Sequence, residues 1–305
     1  ALARIIDKAT VPAYPIKPRK KLIIMIAGIL GLGLGIMMVF LKEALNKTIR
    51  TAEDVESKLA TPILGILPLL KIKSKDKAQP IMAFFDDNKS SFAEAIRTIR
   101  TGVVLSGLDS QEKVAVITSS VPNEGKTTVA VNLAIALGQN EKVLLIDADL
   151  RKPSIARTCK IDPQEGLSTL VAGTSAFEQC VHHFKEWGID ILPAGIIPPN
   201  PQELLGSKRF GVVIKALSKK YERIVIDTAP VQAVSDAQLI SVHSNEVIYV
   251  VKADSTPYTL AANGIDKFKK IDREVIGIVL NQVNIEKARY YSGEYYSGYY
   301  QNYGY

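Results

Sequence analysis

The amino-acid sequence predicts an α/β protein: a parallel sheet with helices on both faces, built around a phosphate-binding loop and preceded by one transmembrane helix. Three observations carry this prediction. Residues 22–41 form an uncharged run of 20 residues. From about residue 90 onward, short apolar runs alternate with helical stretches, as expected for parallel strands joined by helical crossovers. The first of these runs leads into Gly125-Lys126-Thr127, the end of a phosphate-binding loop.

Length and composition limit the class of protein. The 305 residues allow about two domains, and 47 % hydrophobic with 23 % charged residues excludes wholesale disorder. The net charge of +7 suits a membrane surface or an anionic ligand and gives no reason to expect nucleic acid as a partner. Two cysteines, Cys159 and Cys180, exclude a disulfide scaffold, and neither lies in a metal-ligand spacing.

Residues 22–41 are predicted to cross a membrane, because 20 helical residues extend ~30 Å, the thickness of a hydrocarbon core. A buried core helix and a secretory signal are the alternatives. A buried core helix is rarely apolar on all sides over 20 residues. A secretory signal would start closer to the N-terminus and would be followed by a small-residue cleavage site. Residues 1–21 are predicted to be a proline-rich periplasmic juxtamembrane segment. Within it, residues 11–19, with prolines at 12, 15 and 18, are predicted to form a stiff polyproline strut that leads into the span.

The side of the membrane is predicted from the nucleotide site. Residues 2–21 carry six Lys and Arg and residues 42–61 carry four, so charge alone would weakly place the N-terminus inside. ATP is cytosolic, however, and the phosphate loop follows the span. We therefore expect the part of the chain after the span to lie in the cytoplasm.

Residues 42–80 are predicted to form a juxtamembrane helix and a linker. Thr51 as N-cap, with acids in the first turn, is typical of a helix start, and that helix should run to about Leu59. Residues 63–68 are a short apolar stretch, and the lysine-rich residues 71–77 are typical of a flexible linker.

The nucleotide-binding domain is predicted to cover residues 81–289. Its strands are expected at residues 114–117, 143–146, 189–192, 224–226, 247–251 and 276–280, and its clearest helices at 127–138, 210–221, 236–242 and 260–271. Ligands of such sheets bind at the carboxyl ends of the strands. In the phosphate loop, Lys126 would neutralise the β and γ phosphates and Thr127 would ligate Mg²⁺. The loop departs from the usual pattern at Ser120, where glycine is usual.

Three aspartates are predicted to meet the loop at that edge. Asp147 and Asp149 follow the second strand and Asp227 follows the fourth. Carboxylates there can hold Mg²⁺, and one of them can accept the proton of an attacking hydroxyl. The alternative for an aspartate at a strand end is a helix N-cap, and Ser235-Asp236 could be such a cap.

Together, the motifs Ser-Ser-x3-Glu-Gly-Lys-Thr, Ile-Asp-x-Asp-x-Arg and Ile-Asp-Thr-x-Pro resemble the Walker-type motifs of bacterial tyrosine kinases (BY-kinases), which are relatives of the deviant-Walker ATPases. Residues 198–205 are similar to a signature loop of that family. The membrane part resembles the last segment of a polysaccharide co-polymerase, which the one-chain Wzc type fuses to the kinase. A periplasmic domain and a first span are expected upstream, since the sequence begins at Ala1.

The resemblance implies a protein-tyrosine kinase that uses ATP and Mg²⁺, with Asp147 or Asp149 deprotonating the incoming tyrosine. The implied catalytic residues are Lys126, Asp147, Asp149 and Asp227; the nucleotide-binding residues are Ser120, Asn123, Glu124, Gly125, Lys126, Thr127, Thr128, Arg151 and Asn281; the metal ligands are Thr127, Asp147 and Asp227.

Two further motifs concern assembly and the acceptor. Glu94, Arg97 and Arg100 match the family's oligomerisation motif and imply a homo-oligomeric ring, octameric by resemblance; alone, this spacing is typical of a solvated salt-bridge stripe. Residues 290–305 resemble an autophosphorylation tail that is modified in trans; alone, they could be an aggregation-prone low-complexity segment. The implied phosphoacceptors are Tyr290, Tyr291, Tyr295, Tyr296, Tyr299, Tyr300, Tyr303 and Tyr305.

By the same resemblance, the protein would regulate the synthesis, polymerisation and export of a capsular polysaccharide or exopolysaccharide at the bacterial inner membrane. A low-molecular-weight tyrosine phosphatase and the export machinery would be its partners. Two other classes stay open. One is a membrane-tethered ATPase that switches dimerisation without modifying tyrosine, and the other is a structural scaffold with an inactive site, against which the intact Lys126 and aspartates argue.

Overall fold

A computed structural model describes residues 17–44, 46–70, 79–108, 113–162 and 164–292, in two compact units, Ala1–Lys47 and Thr48–Tyr305. The first unit contains helix α1 (Lys20–Ala44), and its stretch Lys20–Lys42 has a mean hydropathy of 2.7 and no buried residues. This helix is long and apolar enough to cross a membrane, by length and composition. Most of the predicted proline strut lies outside the described residues.

The second unit alternates strands with helices. The strands are β1 (Ile63–Pro68), β2 (Val114–Ser119), β3 (Val143–Asp147), β4 (His182–Phe184), β5 (Ile189–Leu192), β6 (Arg223–Asp227), β7 (Glu246–Lys252) and β8 (Val275–Val283). The helices are α2 (Ala52–Leu59), α3 (Ala83–Asp86), α4 (Ser91–Ser106), α5 (Lys126–Gly138), α6 (Ile155–Cys159), α7 (Leu167–Ala172), α8 (Phe177–Cys180), α9 (Pro201–Leu205), α10 (Lys208–Ser218), α11 (Asp236–Ser241), α12 (Tyr258–Lys269) and α13 (Ile285–Ser292).

One sheet joins the eight strands in the order β1-β8-β7-β2-β6-β3-β5-β4. All neighbouring pairs are parallel except β4 with β5. The predicted parallel α/β fold is therefore confirmed, with all six predicted strands present. The sequence analysis missed β1 and β4, because β1 is interrupted by Gly65 and β4 has three residues, two of them His182 and His183.

Both faces of the sheet are buried under helices. In β7, Ile248 and Val250 belong to one core cluster, whereas Val247, Tyr249 and Val251 belong to a second cluster on the other face. Helices α4 and α5 contribute to the first cluster, and α2 and α12 to the second. Strands buried on both faces explain why the apolar runs are nearly continuous in the sequence.

The compact unit begins earlier than the predicted domain start at residue 81. The predicted helix start at Thr51 is present as a capping box, in which the Thr51 hydroxyl accepts the N–H of Asp54 at 3.1 Å and the Asp54 carboxylate accepts the N–H of Thr51 at 3.2 Å. Strand β1 then joins the sheet beside β8. The predicted linker at 71–77 lies outside the described residues. Helix α13 carries the backbone of Tyr290 and Tyr291, and the rest of the predicted tail is outside the described residues.

Candidate nucleotide-binding site

The phosphate loop connects β2 to α5 at the carboxyl edge of the sheet. Asn123 and Gly125 adopt positive φ angles of 68° and 90°. Glycine is required at 125, because a Cβ atom there would collide with the side-chain amide of Asn281. This turn brings the N-terminus of α5, with its free N–H groups, to the rim of a cavity, which is the arrangement that favours a phosphate group.

The cavity has a volume of about 620 Å³, within the range of small-molecule sites. Six of the predicted nucleotide-binding residues line it: Asn123, Gly125, Lys126, Thr127, Thr128 and Arg151. Ser120, Glu124 and Asn281 do not line it and are buried. The sequence analysis missed Lys252 and Gln282, which also line it. Lys252 closes β7 at the same edge as Asp147 and Asp227, and this position was the signal that could have identified it.

Two of the predicted catalytic aspartates converge on Lys126. Its ammonium lies 2.8 Å from an Asp149 carboxylate oxygen and 3.6 Å from an Asp227 oxygen. The other Asp227 oxygen accepts the hydroxyl of Thr127 at 2.6 Å. The structure therefore brings together the loop lysine, the loop threonine and the ends of β3 and β6.

Asp147 and Asp227 are both fully buried, and of the three aspartates Asp149 alone lines the cavity. Asp147 differs from Asp227 in the partners of its carboxylate. One oxygen accepts the N–H groups of Ser154 and Ile155 at 3.1 and 3.0 Å, and the other accepts the N–H of Asp149 at 3.3 Å. Asp147 thus fixes the backbone that follows β3, including the residue that does line the cavity, Asp149.

The cluster carries an excess of acid. Burial is the largest influence on Lys126 and would lower its pKa, but the carboxylates of Asp227 and Asp149 outweigh burial and leave the pKa raised. Burial and the carboxylate of Asp227 raise the pKa of Asp147 to about 7. Burial also raises the pKa of Asp227, although Lys126 opposes the rise. One ammonium thus faces three carboxyl groups, and an additional cation would relieve their repulsion.

The residues present fit a divalent cation at Asp227. Its Oδ1 is buried and has no hydrogen-bond partner among the described residues. Its Oδ2 holds the Thr127 hydroxyl, so a carboxylate and a hydroxyl oxygen lie together. Oxygen ligands of this kind are those that Mg²⁺ prefers. Of the predicted metal ligands, Thr127 and Asp227 are therefore adjacent, whereas both Asp147 oxygens already accept backbone N–H groups.

Arg151 reaches the cavity from the segment after β3. Its Nε and Nη2 donate to the two carboxylate oxygens of Asp236 at 2.8 and 3.2 Å, and Asp236 is fully buried. Asp236 is the first residue of α11, and its carboxylate forms a bidentate ion pair with Arg151. Of the possible cap Ser235-Asp236, Ser235 occupies the N-cap position of α11 without a side-chain cap hydrogen bond, and Asp236 is the residue that holds Arg151.

The predicted oligomerisation residues lie on α4, and each arginine makes contacts within its own chain. Arg97 pairs with Glu94, donates to the Asn88 carbonyl at 2.6 Å and packs over a phenylalanine ring. Arg100 donates to the Ala136 carbonyl at 3.0 Å and to the Gln139 side chain at 3.2 Å. Arg100 thereby ties α4 to the end of α5, and a role in assembly stays a prediction.

Comparisons with known proteins identify the family of the chain. A family model described as an AAA domain matches residues 113–285, more than half of the chain, and one described as a G-rich domain on putative tyrosine kinase matches residues 2–44. The putative tyrosine-protein kinase EpsB of Ralstonia solanacearum is 31 % identical over 99 % of this chain. The chain covers only 42 % of EpsB, about two fifths of its length.

Two further relatives match most of their own length. The tyrosine-protein kinase YwqD of Bacillus subtilis is 36 % identical over 67 % of this chain and 86 % of its own sequence. The solved kinase domain of the Escherichia coli tyrosine kinase Etk has a TM-score of 0.71 at 26 % identity, covering 77 % of this chain and 95 % of that domain. The resemblance drawn from the motifs is confirmed, and the chain belongs to the family of bacterial tyrosine-protein kinases.

Proposed function

We propose that this chain is an ATP-dependent protein-tyrosine kinase that phosphorylates its own C-terminal tyrosine cluster in trans. Through this reaction it regulates capsular polysaccharide or exopolysaccharide synthesis, polymerisation and export at the bacterial inner membrane. One observation carries the proposal: Lys126, Thr127 and Asp149 line a 620 Å³ cavity at the N-terminus of α5, and the buried Asp227 contacts Lys126 and Thr127. Kinship with tyrosine-protein kinases supplies the reaction class.

In this proposal the loop residues bind the triphosphate of ATP. Lys126 exchanges its ion pair with Asp149 for the β and γ phosphates, which compensates negative charge at the transferring group. Arg151 and Lys252, which line the same cavity, add positive charge around it. Mg²⁺ would be held by Thr127 and Asp227, with Asp147 contributing through water, and would supply Lewis-acid stabilisation of the phosphate charge.

The transfer itself joins a phenolic oxygen to the γ phosphorus. The bond between that phosphorus and the β–γ bridging oxygen breaks, ADP leaves, and the phenol proton passes to a carboxylate. Since tyrosine has a pKa near 10, the phenol needs a base or strong positioning at pH 7. Asp149 is the better placed of the two candidate bases, because it lines the cavity while Asp147 is enclosed.

Assembly and membrane attachment complete the proposal. Residues 22–41 would span the membrane with residues 1–21 on the periplasmic side, and Glu94, Arg97 and Arg100 would hold neighbouring kinase domains in a ring. Each phosphate adds about −1.5 to −2 charges, so eight modified tyrosines would add roughly −12 to −16 charges. That repulsion would expel tails from neighbouring sites and loosen the ring, and a tyrosine phosphatase would reverse it.

The decisive experiment incubates the full chain with labelled ATP and Mg²⁺ and maps the modified residues. We expect phosphotyrosine confined to residues 290–305. A chain lacking residues 293–305 keeps all of α13 and serves as the comparison. It should lose most phosphotyrosine. If the full chain instead releases free phosphate and carries no phosphotyrosine, the membrane-tethered ATPase is the correct function.

A further inference from the structure

One buried carboxylate that lies outside the cavity, that of Glu124, contacts the phosphate loop. Glu124 is 1 % exposed and does not line the cavity, although it directly precedes Gly125. One of its oxygens accepts the N–H of Val121 at 2.7 Å, which fixes the turn of the loop. The other accepts the hydroxyl of Thr256, in the connection between β7 and α12.

Thr256 is a fixed anchor for this contact. It is 1 % exposed, and its own N–H donates to the Lys252 carbonyl at 3.1 Å. Its hydroxyl accepts the N–H of Lys252 at 3.3 Å, and its carbonyl accepts the N–H of Ile49 at 3.0 Å. Arg50 contacts the same connection, because its guanidinium pairs with Asp254 at 3.3 Å.

The backbone of Glu124 is held as firmly as its side chain. Its carbonyl accepts the side-chain amide of Asn281 at 2.8 Å, at the end of β8. Two residues further on, Lys126 begins α5 and reaches into the cavity. A shift of Glu124 would therefore be passed through Gly125 to the N–H groups and the ammonium that face the phosphates.

We propose that Glu124 and Thr256 are positioning residues of the nucleotide site, which hold the phosphate loop in its binding conformation through a buried carboxylate–hydroxyl contact. The inference rests on the proposed function, because ATP is the ligand whose affinity it concerns. Neither side chain touches the cavity, so both act through the backbone of residues 121–126. Glu124, predicted from the motif to bind the nucleotide, is thereby reassigned to supporting the loop.

The test uses the full chain with ATP and Mg²⁺ as the probe. Thr256→Val keeps the shape of the side chain and removes the hydroxyl. We expect the Kd and the KM for ATP to rise about tenfold, as for loss of a hydrogen bond to a charged group, while kcat at saturating ATP stays within about twofold. Thr256→Ser, which retains the hydroxyl, should restore wild-type affinity.

A matched control separates loop positioning from general stability. Thr61 is also buried, and its hydroxyl donates to the Leu59 carbonyl at 3.0 Å, away from the cavity. Thr61→Val should lower the midpoint of thermal unfolding and leave the Kd for ATP unchanged. An equal loss of ATP affinity in the Thr61 and Thr256 variants would overturn the proposal.

A double-mutant cycle tests whether the two residues act through one contact. Glu124→Gln should weaken ATP binding several-fold, and its combination with Thr256→Val should cost no more than the larger single loss. Additive losses, or wild-type affinity in both single variants, overturn the proposal. If Thr256→Val does not fold, Glu124→Gln and Thr256→Ser decide the question. Failure of the unmodified chain to bind ATP would instead refute the proposed function itself.

Discussion

Two clusters of buried charge lie at opposite edges of the same sheet. One borders the cavity of about 620 Å³, whereas the other reaches, through Glu141, a smaller pocket of about 200 Å³. At the carboxyl edge, Lys126 faces three aspartates, and its side chain is 12 % exposed. At the amino edge, Arg223 begins β6, is fully buried, and pairs with Glu141 at 2.7 Å and Glu246 at 3.4 Å. Both clusters join elements that are distant in sequence.

The two clusters differ in charge balance. At the amino edge, two cations, Arg223 and Lys113, act against two glutamates. Burial and, to a smaller extent, the charge of Glu141 raise the pKa of Glu246, while Arg223 and Lys113 oppose the rise. At the carboxyl edge, one cation acts against three acids, and the repulsion between Asp147 and Asp227 adds to burial. Buried charge alone therefore does not identify a functional site; an uncompensated excess beside an opening does.

The largest expected effect tests the carboxyl edge. Lys126→Met removes the cation that neutralises the β and γ phosphates, so tail phosphorylation should fall by about 1,000-fold or more. Phosphotyrosine formed per mole of folded protein is the measurement. Lys219→Met, at an exposed position after α10, is the matched control and should keep wild-type activity. Persistent phosphotyrosine in the Lys126 variant would contradict the assignment of the carboxyl edge as the functional site.

The second effect tests the amino edge. Arg223→Met removes a fully buried cation and leaves Glu246 uncompensated, so the free energy of unfolding should fall by about 3 kcal/mol. Urea unfolding measures it. Activity per folded molecule should stay within about twofold, since Arg223 lies at the other end of its strand from Asp227. Adding Glu246→Gln should recover part of the loss; a further loss would show that the pairing is not what stabilises this edge.

The sequence predicted which side chains meet at the phosphate loop, but it did not predict the residues that hold those side chains in place. Lys126, Asp149 and Asp227 each follow or precede an apolar run, so their meeting at one edge follows from the topology of parallel strands. Their supports come from contacts that no local pattern records. Asp236 holds Arg151 across 85 residues, and Thr256 holds Glu124 across 132.

The elements missed in the fold have a similar physical reason. Strand β1 has Gly65 where the side chain of Ile99 packs closely against the backbone, so its strand character depends on α4 and on pairing with β8. Strand β4 is too short to carry a periodic signal, and it exists because β5 offers it a free edge. Continuous apolar runs identify strands that are buried on both faces, and edge strands are specified by their neighbours.

The third effect is the pH dependence of stability at the carboxyl edge. The pKa of Asp147 is about 7 in the folded, nucleotide-free chain and near 4 when unfolded. Its contribution to stability is therefore fully present below about pH 4 and is lost as pH rises through about 7. Relative to Asp147→Asn, the wild type should lose about 2 kcal/mol of unfolding free energy between about pH 5 and pH 7. The free energy of unfolding of both proteins is measured by urea unfolding at each pH. If it changes equally with pH in the two proteins, the inferred excess of acid at the carboxyl edge is refuted.

The smallest effect compares one hydroxyl at each edge. The Ser106 hydroxyl lies 3.4 Å from Glu246 and 2.9 Å from the Val103 carbonyl, so Ser106→Ala should cost less than about 0.5 kcal/mol in a cluster whose charges are already balanced. The Thr127 hydroxyl donates to Asp227 at 2.6 Å, where few other donors oppose the negative charge. Thr127→Val should therefore cost about 1.5 kcal/mol in the nucleotide-free chain. Urea unfolding of both variants measures the two losses. Equal losses would mean that the carboxylates at both edges depend to the same extent on hydrogen bonds from neutral hydroxyl groups.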